Sequence, residues 1–388
     1  VTTLTTPTPP PPTAPTPPPS PRTAALRHAA PALAAYLAVR LISLAVLATW
    51  AHRRHHGVRP ILALEWDAKW YWGIATHGYT HTLGTAYDAN NLAFFPLYPY
   101  VVKTLSAITP LSLSSTGLAV ALTSSLLAAW GIFAIGDHLH DRRTGILLTV
   151  LWAAWPVALV QWMAYTESLF TALAAWSLYA VLTQRWLPAA GLAILAGLTR
   201  PTGIAVAAAV SLAALLSLRH HRSNKAALAV ITAPLGWCAY VTWVGLRLHR
   251  WDGYFAVQRL WHNEWNGGQE TLRRFRELLG QDSRPELFLI GVTLTLIAAT
   301  ALYALSIWDR QPVPLLIFTG AMLAIVLGSG GVYFPRARFL LPAFPLLLPI
   351  AVHLTKASRR FHWLTLGTAV TASAYFSAYM ALVWPSAP

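Results

Sequence analysis

Glu65 and Asp67 stand two positions apart in the stretch ALEWDAKWYWGIATHGY (63–79), beside Lys69 and among Trp66, Trp70, Tyr71, Trp72 and Tyr79. The chain around this stretch is mostly apolar, so charge placed here belongs either to an anchor at a membrane interface or to a working site. If a helix starts near Glu65, both carboxylates fall in its first turn, where the helix dipole favours negative charge. The tryptophans and tyrosines then serve as interface anchors. A carboxylate held at a membrane surface can instead act as a general base and accept a proton from a hydroxyl group. His77, His81 and Asp88 follow in the same loop. They could form a metal site, but no metal-ligand spacing links them, and solvated loop residues account for them better.

Further charges interrupt apolar surroundings. Glu167 lies in AYTESLF (164–170), either in a solvated turn or placed to orient a substrate or a catalytic side chain. Arg200, in GLTRPTG (197–203), stands between two apolar segments with Pro201 breaking the helix. An arginine at that depth needs a partner, which Glu167, backbone carbonyls or a phosphate could provide. Arg336 and Arg338 in YFPRARFLLP (333–342) suit a phosphate ester through paired guanidinium groups, or lipid headgroups through snorkelling. Arg40, inside the first apolar run, calls for a structural partner elsewhere in the bundle. The stretch RWDGYFAVQRLWHNEW (250–265) is aromatic enough to lie along a membrane and to close over a site as a lid, while TLRRFREL (271–278) reads as a solvated helix face.

The elements that must carry these residues follow from composition. Of 388 residues, 56% are hydrophobic and 11% charged, which describes a polytopic membrane protein rather than a soluble domain. The 18 Trp and 14 Tyr fit, since both collect at membrane–water interfaces. A formal charge of +15 does not indicate nucleic-acid binding, because the basic residues fall in short clusters between apolar runs. Cys238 is the single cysteine, which excludes an intramolecular disulfide and a cysteine-based metal site. Arg outnumbers Lys 24 to 4, a bias that suggests a GC-rich bacterial genome.

Residues 1–31 read as a disordered, Pro-rich cytoplasmic tail, with 1–21 almost all Pro, Thr, Ser and Ala; no cleavable signal peptide is evident. Residues 32–388 read as one transmembrane domain. Apolar spans are expected at 32–50, 113–136, 145–162, 166–183, 187–199, 203–218, 226–247, 286–307, 313–330, 339–355 and 363–384, with 187–218 open to being one bent helix. A span needs ~20 helical residues to cross ~30 Å of hydrocarbon. The 15 residues of 95–109 would reach only about 22 Å as a helix, so this segment is taken as interfacial. With the N-terminus inside, the short basic loops 137–143, 184–186, 219–225, 308–311 and 356–360 then fall inside, as the positive-inside rule wants. The outside collects 51–112 as a first external loop, 165–168, 199–203, the second large loop 248–285, and 333–339.

The pair EWDAKWYWGIATHGY (65–79) and NLAFFPLYPYVV (91–102) resembles the signature of the PIG-V family of GPI-mannosyltransferase-like membrane enzymes. The likeness continues, in family order, through VRLISL (39–44), AYTESLF (164–170), LTRPTGI (198–204) and ARFLLP (337–342). The resemblance implies an all-α polytopic GT-C fold with many spans, juxtamembrane helices in the first external loop and a second large loop later, the same shape as the about eleven transmembrane helices read from the apolar runs and loop charges. It also implies a polyprenyl-phosphate-mannose donor, inversion at the anomeric carbon, and an acidic base in that loop. On this sequence the base is Asp67, and Trp66, His77, Tyr79, Tyr165, Glu167, Arg200, Arg336 and Arg338 are the candidates for binding substrate. No metal or cofactor is firmly implied. TRPTG departs from the family's Arg-Ser-Asn-Gly, which changes the hydrogen bonding available near Arg200. A bacterial origin would remove the GPI glycolipid as acceptor and leave a glycan, another glycolipid or a protein. The expected location is a bacterial plasma membrane with the site on its extracytoplasmic face, among membrane lipids. A lipid-linked sugar flippase or a non-catalytic membrane subunit is the alternative; a flippase would need a polar route through the bundle, and a subunit would not need the Trp-Asp pair.

Overall fold

The computed structural model describes residues 21–85, 90–281, 284 and 286–386. Among them the chain is all-α, and the one extended pairing is an isolated bridge between Trp265 and Ser329. The first helix, α1 (Pro21–Arg53), is followed by three short ones: α2 (Val58–Ala63), α3 (Asp67–His77) and α4 (Leu97–Ile108). A bundle follows, made of α5 (Leu113–Leu139), α6 (Arg142–Ala153), α7 (Glu167–Leu182), α8 (Trp186–Gly197), α9 (Gly203–Leu218), α10 (Asn224–Thr232) and α11 (Leu235–Arg247). Two short helices, α12 (Gly253–Leu260) and α13 (Gln269–Arg276), precede the last long elements, α14 (Leu287–Trp308) and α15 (Val313–Gly328). The one-turn α16 (Arg336–Phe339) leads to α17 (Leu348–Lys356) and α18 (Arg359–Leu382). Local sequence sets several starts: Ser112, Asp141, Ser223 and Ser358 each accept a hydrogen bond from the amide three residues on. Those side chains satisfy donors that a helix leaves open at its first turn.

Among the described residues, four helices are long and apolar enough to cross a membrane: Thr23–Arg53, Leu113–Leu139, Asn224–Arg247 and Leu287–Trp308. Leu122 and Leu127 of α5, Leu212 and Leu215 of α9, and Leu294 and Ile297 of α14 point outward, an arrangement lipid favours and water does not. Several sequence expectations change in this architecture. Residues 1–20 of the proposed tail lie outside the described residues, but 21–31 are helical, because α1 begins at Pro21, where a proline suits a first turn. The run 187–218 is two helices that pack against each other, interrupted at Arg200–Pro201. Helix α4, 12 residues long, reaches only about 18 Å, too short to span.

The largest departures are in 145–162 and 339–355, where apolar sequence does not become a continuous helix. Helix α6 stops at Ala153, just before Pro156, and the chain then runs through irregular, buried backbone to Thr166. Residues 339–355 likewise divide into the end of α16, a tight turn at Phe344–Leu347 and α17. Hydropathy cannot distinguish these segments from spans, since irregular backbone is tolerated in an apolar interior when protein groups satisfy it. Here they do. The Trp152 and Trp155 indoles donate to the carbonyls of Leu341 and Ala337 at 3.1 and 3.0 Å, tying the two irregular segments together. Ser373 donates to Trp155 O (2.7 Å), and Ala164 N donates to Leu62 O (2.8 Å). Arg40 finds its expected partner in the Ala153 carbonyl (3.0 Å), at the end of α6, with its guanidinium over the Trp162 ring. Glu167 and Arg338 sit at the ends of this tied pair of segments.

Close approach of α8 and α11 depends on glycine. A Cβ at Gly236 would overlap the Ile194 carbonyl, and one at Gly197 would lie 2.6 Å from Trp237 N. Gly191, on the open face of α8, has nothing within 4 Å of such a position. Gly236→Ala is therefore expected to destabilise the protein by about 1–3 kcal/mol through overpacking. Gly191→Ala is expected to leave it unchanged or stabilise it by up to about 1 kcal/mol through helix propensity. Thermal unfolding of the two purified variants in detergent checks this contrast.

Candidate active site

Asp67 is the first residue of α3, and the turn before it is strained: Trp66 adopts φ 48° and ψ −117°, a conformation uncommon for any residue but glycine. Tyr165 holds that turn from the irregular segment behind it. Its hydroxyl accepts from the Asp67 amide (3.3 Å) and donates to the Glu65 carbonyl (3.4 Å). Glu65 thus contributes its backbone here, and Asp67 contributes its side chain.

Four charges meet at this point. Arg338 Nη2 lies 2.8 Å from Asp67 Oδ2, and Arg338 Nε lies 3.3 Å from Glu167 Oε1. Arg200 Nη1 lies 2.6 Å from the same Glu167 oxygen and donates to Thr166 Oγ1 at 3.0 Å. Thr166 Oγ1 also bonds the Tyr71 hydroxyl (3.1 Å). The Arg338 guanidinium lies over the rings of Tyr165 and Phe339, 5.3 and 5.2 Å from their centroids. Two carboxylates and two guanidinium groups cancel, which is the condition for burying four charges together. Exposure is unequal: the Glu167 side chain is 1% exposed and that of Arg338 6%, whereas Asp67 keeps 21%. Burial pushes the Asp67 carboxyl above the ordinary aspartate range; Arg338 pulls it back, Glu167 adds to the rise, and Arg200 opposes it.

The exposed part of Asp67 faces a cavity of about 540 Å³. Asp67, Tyr71, Thr166, Thr199, Arg200 and Arg338 line it, with Phe94, Phe334 and Phe339 as apolar wall. Gln258 of α12 and the turn after it, Trp261, His262 and Asn263, also line it. Phe94, Trp70 and Trp261 form an aromatic cluster, with centroids 5.2–5.4 Å apart. A mostly apolar cavity with a few convergent polar groups is the usual form of a small-molecule or cofactor site.

Of the residues singled out in the sequence, Asp67, Arg200 and Arg338 line this cavity, while Tyr165 and Glu167 support them from behind. The other four do not line it. Trp66 packs into the main core; His77 sits exposed at the end of α3, bonded to Thr76 Oγ1 (2.7 Å). Tyr79 is buried against Tyr240 and donates to the Phe94 carbonyl (2.8 Å). Arg336 turns the opposite way from Arg338 and bonds Thr271 and the carbonyls of Ser329 and Gly331. In place of the expected phosphate contact, a threonine hydroxyl and two backbone carbonyls accept from its two terminal nitrogens, while Nε has no acceptor among the described residues. His81 accepts from Arg247, and Asp88 lies outside the described residues; among those described, no group of three His, Cys, Asp or Glu could hold a metal ion. Tyr71, expected as an interface anchor, instead lines the cavity, and Thr166, Thr199, Gln258, His262 and Asn263 were not distinguished in the sequence, where uncharged polar residues carry no desolvation signal. The aromatic, lid-like stretch around 250–265 was the one hint of the last three.

No protein-family model matches the chain, and no curated protein does. Among solved structures, it is similar to the Archaeoglobus fulgidus oligosaccharyltransferase in its apo form, at 12% identity and a TM-score of 0.47, covering 87% of this chain and 56% of that one. The same enzyme tethered by a disulfide bond to an acceptor peptide with an NVT sequon gives 13% identity, a TM-score of 0.45, and coverage of 92% and 55%. The chain thus spans about half the length of the structures it matches. Likeness at this level assigns no activity; that rests on the site's own chemistry.

Removing one member of a buried, mutually neutralised cluster leaves an uncompensated charge. Glu167→Gln strands Arg200 and part of Arg338 at the least exposed position, and should lower stability by about 3–5 kcal/mol. Asp67→Asn, at the cavity edge, should lower it less. Denaturation midpoints of the two variants, measured side by side, check the ranking.

Proposed function

We propose that this chain is a membrane glycosyltransferase of the GT-C type, transferring a mannosyl or other hexosyl unit from a polyprenyl phosphate to an acceptor hydroxyl with inversion, with Asp67 as general base. One observation carries the proposal: Asp67 is the only carboxylate among the described residues lining the cavity, and it shares that cavity with Arg200 and Arg338. The PIG-V-like motifs of the sequence support the donor class. The basic loops 137–143, 219–225 and 356–360 support an extracytoplasmic site in a bacterial plasma membrane.

The chemistry suits the charges present. The acceptor oxygen attacks the anomeric carbon and passes its proton to an Asp67 oxygen. The bond from that carbon to the phosphate oxygen breaks, and its electron pair leaves with the phosphate. The Asp67–Glu167–Arg200–Arg338 cluster, neutral at the start, gains one positive charge as Asp67 is protonated, while the leaving phosphate gains one negative charge. Protonation weakens the 2.8 Å Asp67–Arg338 pair, making Arg338 available to the leaving group when that charge appears. Arg338 Nη1 is buried and has no hydrogen-bond acceptor among the described residues, so it gives up no bond if the guanidinium turns toward the cavity once the Asp67 pair loosens. Tyr165 and Glu167 act by position, fixing Asp67 and the two guanidinium groups. Phe94, Phe334 and Phe339 provide apolar surface for the lipid-linked donor and the sugar face.

Radiolabelled polyprenyl phosphate mannose, supplied to the purified protein in vesicles with a lipid extract as acceptor source, tests the proposal. Asp67→Asn protein that elutes as a folded monodisperse species should lose transfer by about 10²–10⁴-fold, the usual contribution of a general base. Label crossing the bilayer without reaching a new acceptor would make the protein a flippase, and neither movement nor transfer would favour a non-catalytic subunit. Because burial raises Asp67, the base should be lost at a higher pH than for a solvated aspartate. The acid limb of kcat/KM should therefore lie above the ordinary aspartate value, with activity retained on its alkaline side.

A further inference from the structure

Arg336 is fully buried beside the site, yet plays no part in the chemistry above. It reaches into a seam between two loops. One, 262–268, continues from the cavity-lining turn Trp261–Asn263; the other, 328–333, leads from α15 into α16. The loops run antiparallel: Asn266 N donates to Gly328 O (3.0 Å), Gly330 N donates to Glu264 O (2.5 Å), and Trp265 pairs with Ser329. Arg336 closes the end of this seam. Its Nη1 donates to Thr271 Oγ1, which in turn donates to the Leu327 carbonyl (2.6 Å); its Nη2 donates to Ser329 O and Gly331 O. The approach needs glycine, because a Cβ at Gly331 would overlap Asn263 and the His262 carbonyl.

The same turn carries Arg338. Helix α16 is four residues long, and at about 100° per residue positions 336 and 338 point to nearly opposite sides of it. Arg336 grips the loop seam on one side; Arg338 grips Asp67 and Glu167 on the other. We infer that Arg336 is a positioning residue that couples closure of the 262–271 segment over the cavity to the placement of Arg338 on Asp67. Closure and activation of the site are then one event: the segment that brings His262 and Asn263 to the cavity also sets the turn that orients the guanidinium. The catalytic meaning of this coupling rests on the glycosyltransferase proposal, whereas the mechanical coupling does not.

Hydrogen exchange on the full-length protein, combined with transfer assays, tests it. Arg336→Met should speed exchange at Asn266 and Gly330, in the seam, and also at Phe339 and Leu340, whose amides close the Arg338 turn onto Pro335 O and Arg336 O. It should lower kcat at least tenfold with a smaller change in KM. With Arg338 loosened, its charge stabilises the Asp67 carboxylate less, while Glu167 still opposes ionisation, so the acid limb should move to higher pH. Arg336→Lys, which can still donate to the loop carbonyls, should restore much of both. Gly331→Ala, which leaves every charge in place, should reproduce the joint loosening if Arg336→Met fails to fold. Faster exchange in the seam with an unchanged Arg338 turn would overturn the coupling, as would wild-type kcat and acid limb in a loosened variant. Absence of transfer in the wild type would count against the proposed function alone, with the paired exchange rates still deciding the coupling.

Discussion

Everything at the site follows from the need to neutralise Arg338. Its side chain is 6% exposed, and a guanidinium so placed loses most of its hydration. Asp67 and Glu167 compensate it, and Arg200 balances the second carboxylate. The compensation is geometric as well as electrical. Asp67 comes from α3, Glu167 from the start of α7, Arg200 from the turn before α9, and Arg338 from α16, so four separated parts of the chain must converge before any one charge is tolerated. A charged cluster of this kind adds little net stability over an apolar core, but it specifies which segments meet. That constraint leaves Asp67 at the cavity edge and Glu167 behind it.

The convergence is possible because two stretches of apolar chain form no continuous helix, only short turns. Helices present side chains sideways, whereas a bundle that brings four charges to one point needs chain ends and turns there. The segments 154–166 and 329–347 supply them, and the carbonyls of Leu341, Ala337 and Trp155 within them accept from two indoles and a serine hydroxyl. Trp152 and Trp155 are central: each donates one hydrogen bond to the opposing segment while filling the core with a large ring. The strained backbone at Trp66 belongs to the same arrangement, since the Tyr165 hydroxyl fixes the turn from which Asp67 projects.

The two arginines of α16 illustrate how little sequence proximity determines role. Arg336 and Arg338 are two residues apart and equally basic, yet one bonds neutral carbonyls and a threonine while the other pairs with two carboxylates. A short turn splits them to opposite sides, and the surroundings of each side do the rest. Arg336 bonds Thr271 and the carbonyls of Ser329 and Gly331, in the loop that pairs with Glu264 and Asn266 next to the cavity-lining His262 and Asn263.

By itself the sequence determined the helical class, because long apolar runs between basic loops permit little else. It also marked Asp67, Glu167, Arg200 and Arg338 as unusual, since a charge among apolar neighbours carries a desolvation penalty that the order of residues alone reveals. The tertiary structure decided the rest. It chose Asp67 over Glu65 for the cavity, paired Glu167 with both Arg200 and Arg338, and turned Arg336, His77 and Tyr79 away. It also interrupted the apolar runs 145–162 and 339–355 with turns that hydropathy could not foresee. The physical reason is the same in each case. Desolvation is a property of a residue and its neighbours in sequence, whereas the partner that relieves it can come from anywhere in the chain.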